Sequence, residues 1–154
     1  EATHQLAFNS GLQQRFTDTP FWVSEGLAVY FETPDLDNLK GWRNIGAVNR
    51  FNLINFRKYL KTRQPGALEK LLSDDKRFRD PAAMVDAYAE AWALNYYLIR
   101  TDGKTYAKYL KLLSEQTPLV MQEPADRQEQ FLKLFGKSLE ELEADFLKYM
   151  RSVQ

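Results

Sequence analysis

Between residues 81 and about 100 the chain sets apolar side chains at Met84, Val85, Tyr88, Trp92, Tyr96 and Ile99, every three or four residues. That interval follows the 3.6-residue turn of an α-helix and predicts one long helix with a single buried face. Such an element needs partners to cover it. No segment alternates apolar and polar residues over strand length, so the partners are expected to be helices too, and the fold all-α with seven to eight of them. A length of 154 residues suits one domain, residues 1–154, and no linker, repeat or low-complexity tract divides it.

The other helices are marked by their punctuation. Residues 1–10 read as a helix with Leu6 and Ala7 inward, closed by Gly11 in a left-handed cap. Thr19-Pro20 opens a second helix over 20–32, with the Thr oxygen capping and Pro at the first position. Residues 33–48 read as a surface loop pinned by Trp42 and Ile45. Asn49 caps a third helix over about 50–63, with Phe51, Ile54, Phe56, Tyr59 and Leu60 on its apolar face. A short helix over 67–72 precedes a charged loop over 73–79. Asp80-Pro81 repeats the opening signal for the long helix. Asp102-Gly103 predicts a tight turn before a helix to about 115, carrying Tyr106, Tyr109, Leu110 and Leu113. A helix over 124–135 ends at Gly136, and Ser138 with Glu141 forms a capping box for the last, which turns Leu139, Leu142, Phe146, Tyr149 and Val153 inward.

The charge balance is even, with 21 basic and 21 acidic residues, which gives no footing to a nucleic-acid partner. No apolar run is long enough for a membrane span. There is no cysteine, so a metal or nucleophilic site must be built without thiols. The single histidine, His4, then stands out.

Glu1-Ala2-Thr3-His4 places a carboxylate and an imidazole on one helix face. In the zinc-binding pattern H-E-x-x-H, two His one turn apart hold the ion, and the Glu between them holds a water and moves its proton. One more His, directly before Glu1, would complete it. Glu25 can supply a further ligand from the second helix, because a short loop lets that helix pack antiparallel to the first. Gly26 beside it removes a side chain where the two helices must approach closely. The fourth position then stays open for water. Each feature also has a plainer reading. A Glu and a His on one helix form a solvated pair or a cap, and Glu25 lies on the polar side of an amphipathic helix.

Phe21-Trp22-Val23-Ser24-Glu25-Gly26-Leu27-Ala28-Val29-Tyr30 resembles the W-L-x-E-G-x-A-x-Y block of gluzincins, zinc peptidases with two His and one Glu as ligands. Glu1 to His4 is similar to the last four residues of their H-E-x-x-H. More closely, the chain resembles the peptidase-MA-like group of bacterial proteins. Tyr88-Ala89-Glu90-Ala91-Trp92-Ala93-Leu94, Tyr106 to Leu113, and Phe135-Gly136-Lys137-Ser138-Leu139-Glu140-Glu141-Leu142-Glu143 are similar to its later blocks. The resemblance thus runs over nearly the whole chain, and the E-G-x-A block is its specific part.

The resemblance implies zinc as cofactor, His4 and Glu25 as metal ligands and Glu1 as general base and acid. It implies a peptide or protein substrate and, since proteins of that group are often exported, is compatible with an extracytoplasmic location without fixing one. It also implies a β-sheet upstream of residue 1, so that these residues form the helical C-terminal part of a catalytic domain. Departures from the pattern are the first His, which is not among the 154 residues, and the G-x-M-E-N motif of the aminopeptidase branch, which is absent. The expectation is therefore zinc-dependent peptide hydrolysis in the full-length protein, and an inactive 154-residue fragment. An oxyanion donor is also needed. With no second His, a Tyr is the substitute, and Tyr88 is the candidate because it opens a family-like block. Its plainer reading is a core aromatic in register with Val85, Trp92 and Tyr96. Tyr30 is a weaker candidate, and Glu32 a hydrogen-bond partner behind a His ligand. The alternative for the whole chain is a helical binding or scaffold domain that keeps the fold without the chemistry.

Overall fold

The computed structural model describes residues 2–33 and 45–154. Glu1 and the expected anchor Trp42 lie outside the described residues. Eight helices follow one another among those described: α1 Ala2–Asn9, α2 Phe21–Phe31, α3 Arg50–Tyr59, α4 Ala67–Ser73, α5 Lys76–Arg79, α6 Met84–Ser114, α7 Pro124–Phe135 and α8 Leu139–Ser152. No strand occurs among the described residues, and the fold there is all-α. No helix among them is long and apolar enough to cross a membrane.

Helix α6 is the axis against which α2, α3, α5, α7 and α8 pack. Its middle, from Ala89 to Leu98, is buried on every side, as a helix surrounded by others must be. Trp22 of α2 lies against Tyr109 of α6 with ring centroids 6.0 Å apart, and meets Phe131 of α7 edge-on at 5.4 Å. This aromatic cluster joins three helices around rings with little or no exposed surface.

Several expected boundaries hold because they are locally encoded. Asn49 Oδ1 accepts from the Asn52 amide at 2.9 Å, and Ser138 and Glu141 form the full capping box. Gly136 closes α7 in the left-handed region, with φ 61°.

Other expectations are corrected by tertiary context. Thr19 does not cap α2, since its hydroxyl pairs with that of Thr17. The cap comes from Asp75, whose Oδ1 accepts from the Phe21 amide at 3.0 Å. The charged stretch 73–79 contains the short helix α5. The long helix starts at Met84, and residues 81–83 form a turn. The expected break at Asp102 is met: two helical halves of α6 join there at a kink, where Asp102 leaves helical geometry, at φ −146° and ψ 57°, and its carboxylate accepts from the Thr105 amide at 3.2 Å. It caps the second half of α6, and the chain bends there enough for the Tyr106 hydroxyl to reach the Asn95 side chain, which a rise of about 16 Å over eleven residues of straight helix would not allow. Met84 and Val85 are exposed, because α6 enters the body only after its first turn. In α3 the inward stripe is Asn52, Leu53 and Phe56, which leaves Phe51 and Ile54 in solvent. In α1 only Ala7 is buried, and Leu6 faces out. Ile45 is exposed, and Gly46 does the anchoring expected of it. A Cβ on Gly46 would fall 2.3 Å from the Tyr30 ring, its φ is +82°, and its carbonyl accepts from Arg100 at 2.9 Å.

Candidate metal centre

Helices α1 and α2 are adjacent in space as well as in sequence. Their contact brings His4 Nε2 to 3.6 Å from Glu25 Oε1. The two side chains face one another and keep 23% and 25% of their surface open. A separation of 3.6 Å is too long for a hydrogen bond, which at a nitrogen donor has its mode near 2.9–3.0 Å. It does suit two donors of one tetrahedral ion. Zinc bonds of about 2.0–2.2 Å to nitrogen and oxygen put neighbouring donor atoms roughly 3.4 Å apart. The donor chemistry fits as well, since imidazole and carboxylate are both ordinary zinc ligands. Among the described residues no group of three His, Cys, Asp or Glu side chains converges on one point. Glu1, the expected general base, lies outside the described residues.

Glu25 is held in place by its neighbours along α2. Gly26 sits where α2 closely approaches α6. A Cβ there would fall 2.1 Å from Asn95 Nδ2 and 2.6 Å from the Ala91 carbonyl oxygen, both on α6. Only hydrogen fits in that gap, so Gly26 serves a close approach to α6 and not the expected one to α1. The N-terminus of α2 is fixed by the same Asp75 that caps it. Asp75 Oδ2 also accepts from Arg127 Nη1 of α7 at 3.3 Å. Arg127 forks onto the buried Asp18 carboxylate, and Asp18 accepts from the Gln122 amide at 2.8 Å. The loop between the two candidate ligands is therefore tied to α7 by an ion pair that solvent hardly reaches.

Tyr88 lies on α6 near this site. Burial and the negative charge of Glu25 both push its phenol above the ordinary tyrosine range, burial more strongly. The effect of Glu25 places the two groups within electrostatic reach. Its ring meets Phe78 edge-on at 5.3 Å. The hydroxyl has no hydrogen-bond partner among the described residues, so the core-aromatic reading accounts for the ring and leaves the oxygen unused. Tyr30 is different: its ring is buried between Phe31 and Tyr96 and covers Gly46. Tyr96 and Tyr97 pack against Tyr149 of α8. Glu32 lines an apolar groove of about 400 Å³ with Ala2, Thr3, Leu6 and Phe31. Helix geometry puts Ala2 and Leu6 about half a turn away from His4. The groove thus lies behind the candidate ligand.

Several buried polar groups were missed by the sequence reading, and two of them lie on α6. Asn95, fully buried, donates from Nδ2 to the carbonyls of Trp22 and Ala91, each at 2.8 Å, and accepts from the Tyr106 hydroxyl. Glu90, also fully buried, is clamped by Arg63 Nε at 2.8 Å and Arg77 Nη1 at 2.5 Å, and Arg77 also donates to the Tyr59 hydroxyl at 3.0 Å. The available signal was a Glu and an Asn inside the otherwise apolar run from Ala87 to Leu98. Each had to find partners to be buried at all. Residues 1–120 match the family described as protein of unknown function (DUF1570). No curated protein and no solved structure matches the chain.

Proposed function

The chain belongs to the DUF1570 family, and for this member we propose that His4 and Glu25 are two ligands of a zinc ion in a peptide hydrolase. One observation carries the reading: a His nitrogen and a Glu oxygen from separate helices meet at 3.6 Å, an ion-pair distance that is also the spacing of two donors on one zinc ion. The resemblance of residues 21–30 to a gluzincin ligand block supports it from the sequence side.

Zinc held there supplies a water acidified towards neutral pH and a Lewis acid for the scissile carbonyl. The remaining work falls to the chain. In the order of the H-E-x-x-H pattern Glu1 is the residue that accepts the proton of the attacking water and returns it to the leaving amine. Tyr88 donates its hydroxyl hydrogen to the carbonyl oxygen as charge builds there. Its raised pKa keeps that hydrogen in place at neutral and mildly alkaline pH. A histidine directly before Glu1 would be the third protein ligand, in the order of the H-E-x-x-H pattern.

The test uses the full-length protein, zinc-loaded and incubated with a peptide pool whose products are read by mass spectrometry. Cleavage by the wild type, lost in Glu1→Gln with zinc content and melting temperature unchanged, is the expected result. Cleavage that survives Glu1→Gln would refute the proposed chemistry. Stoichiometric zinc without any cleavage would favour a helical binding or scaffold domain.

A further inference from the structure

We propose that Asn95 is a positioning residue for the Glu25 ligand, setting the register of α2 on α6 so that the carboxylate meets His4; this rests on the zinc reading above. The problem it solves comes from the composition of α2. That helix buries Trp22, Val23, Gly26, Leu27, Ala28 and Tyr30, and apolar packing is non-directional. Such a helix can rotate or slide by a fraction of a turn at little loss of buried area. Metal ligands do not tolerate that, because donor distances must hold to within about 0.2 Å. Something directional has to fix α2.

Asn95 is that contact. Its Nδ2 donates to the Trp22 carbonyl, three residues before Glu25, at 2.8 Å. The same nitrogen holds the Ala91 carbonyl of its own helix at 2.8 Å, and the side-chain oxygen accepts from Tyr106. Two carbonyl partners require the NH₂ on that side, so the orientation of the amide is settled by chemistry. All three bonds are made in a site with no solvent exposure, and the side chain cannot turn without leaving a buried group unpaired. Gly26 closes the arrangement from the other helix, with no room for a Cβ against Asn95 or Ala91. One hydrogen bond fixes sliding and one steric contact fixes the approach, on either side of Glu25. Neither residue touches the ion or the substrate, so the role is indirect.

The test compares full-length wild type with Asn95→Leu, which keeps the branched shape and heavy-atom count but removes the donors. Zinc affinity is measured by chelator competition, and site geometry by the visible spectrum of the cobalt-substituted protein. Phe146→Leu, in α8 against Phe56 and Tyr97, serves as a core control that loosens packing away from α2. The expected result is a zinc Kd weakened about 10–100-fold in Asn95→Leu, the range found when groups behind metal ligands are removed. Its cobalt spectrum should change, while Phe146→Leu loses melting temperature and keeps both Kd and spectrum. Should Asn95→Leu fail to fold, Tyr106→Phe removes only the bond behind the amide and should weaken Kd several-fold with the same spectral direction. Wild-type Kd and spectrum in Asn95→Leu, or in Tyr106→Phe when that variant has to serve, would overturn the positioning role and leave the zinc reading intact. So would an equal Kd loss in Phe146→Leu. A wild type that binds neither metal would overturn both.

Discussion

Gly26→Ala adds one methyl group at a point of close approach between α2 and α6. The new Cβ would lie 2.6 Å from the Ala91 carbonyl oxygen and 2.1 Å from Asn95 Nδ2. The first is backbone, and restoring an ordinary 3.4 Å contact means moving α2 by about 0.8 Å off α6. The second is a side chain held by three hydrogen bonds, which must break at least one of them to yield. Overpacking of this kind costs roughly 1–3 kcal/mol, and an unsatisfied buried amide about 1–3 kcal/mol more. Against this, alanine in a helix gains about 0.5–1 kcal/mol over glycine. The net loss is about 3 kcal/mol, which for a chain of this size lowers Tm by roughly 6–12 °C. Gly103 supplies the control. It lies within α6, a Cβ added to it would meet nothing within 4 Å, and its φ is not positive, so Gly103→Ala should raise Tm by about 1–4 °C. Thermal melts followed by circular dichroism measure both. A Gly26→Ala protein melting within about 2 °C of wild type would refute the tight α2–α6 contact and the placement of Glu25 that depends on it.

Three further outcomes follow from named groups. Tyr88→Phe should lower kcat by about 100-fold or more with little change in KM, and leave Tm unmoved, because its hydroxyl makes no hydrogen bond among the described residues; steady-state kinetics and a melt check it. Glu90→Ala leaves Arg77 without its carboxylate and Arg63 with Glu143 alone, and should cost about 3 kcal/mol in urea denaturation. Tyr59 has its pKa pushed up to about 12, by burial and then by the charge of Glu90, against the opposing pull of Arg77 and Arg63. Its unfolded pKa is near 10. Below pH 10 both states hold the proton and stability is full; from pH 10 to 12 the unfolded state loses it first, so stability falls. Tyr59→Phe should flatten that alkaline loss in denaturation curves, and an equal loss in the variant would contradict the assignment.

Local chemistry was the legible part of the fold. Asn49, Gly136 and the Ser138–Glu141 box act within four residues of their partners, so spacing reveals them. The cap on α2 was hidden because its donor and acceptor, Phe21 and Asp75, are 54 residues apart. Thr19 was the nearest oxygen in sequence and not in space. Phe51, Ile54 and Leu6 were misjudged for a related reason. Each helix offers two apolar stripes, and only the neighbour decides which is buried. Asp102-Gly103 carries the composition of a turn, and there the one non-helical residue, with its capping carboxylate, divides α6 into two halves. At the candidate site, the approach of His4 to Glu25 was readable because each residue sits in its own short motif on its own helix. Gly26 was readable as a contact point, although its partner turned out to be α6. The anchors Asn95, Asp18 and Arg127 were not, since a buried polar residue announces that it has a partner and not which one.

The most direct measurement is the zinc dissociation constant of the full-length wild type beside His4→Ala and Glu25→Ala, with folding of each confirmed by circular dichroism. One tightly held zinc per chain, weakened by more than about 100-fold in either variant, is the predicted result; losses that large exceed those from groups behind the ligands. A wild type that binds no zinc, or variants that hold it as tightly as wild type, would contradict the pairing of His4 and Glu25 as metal ligands.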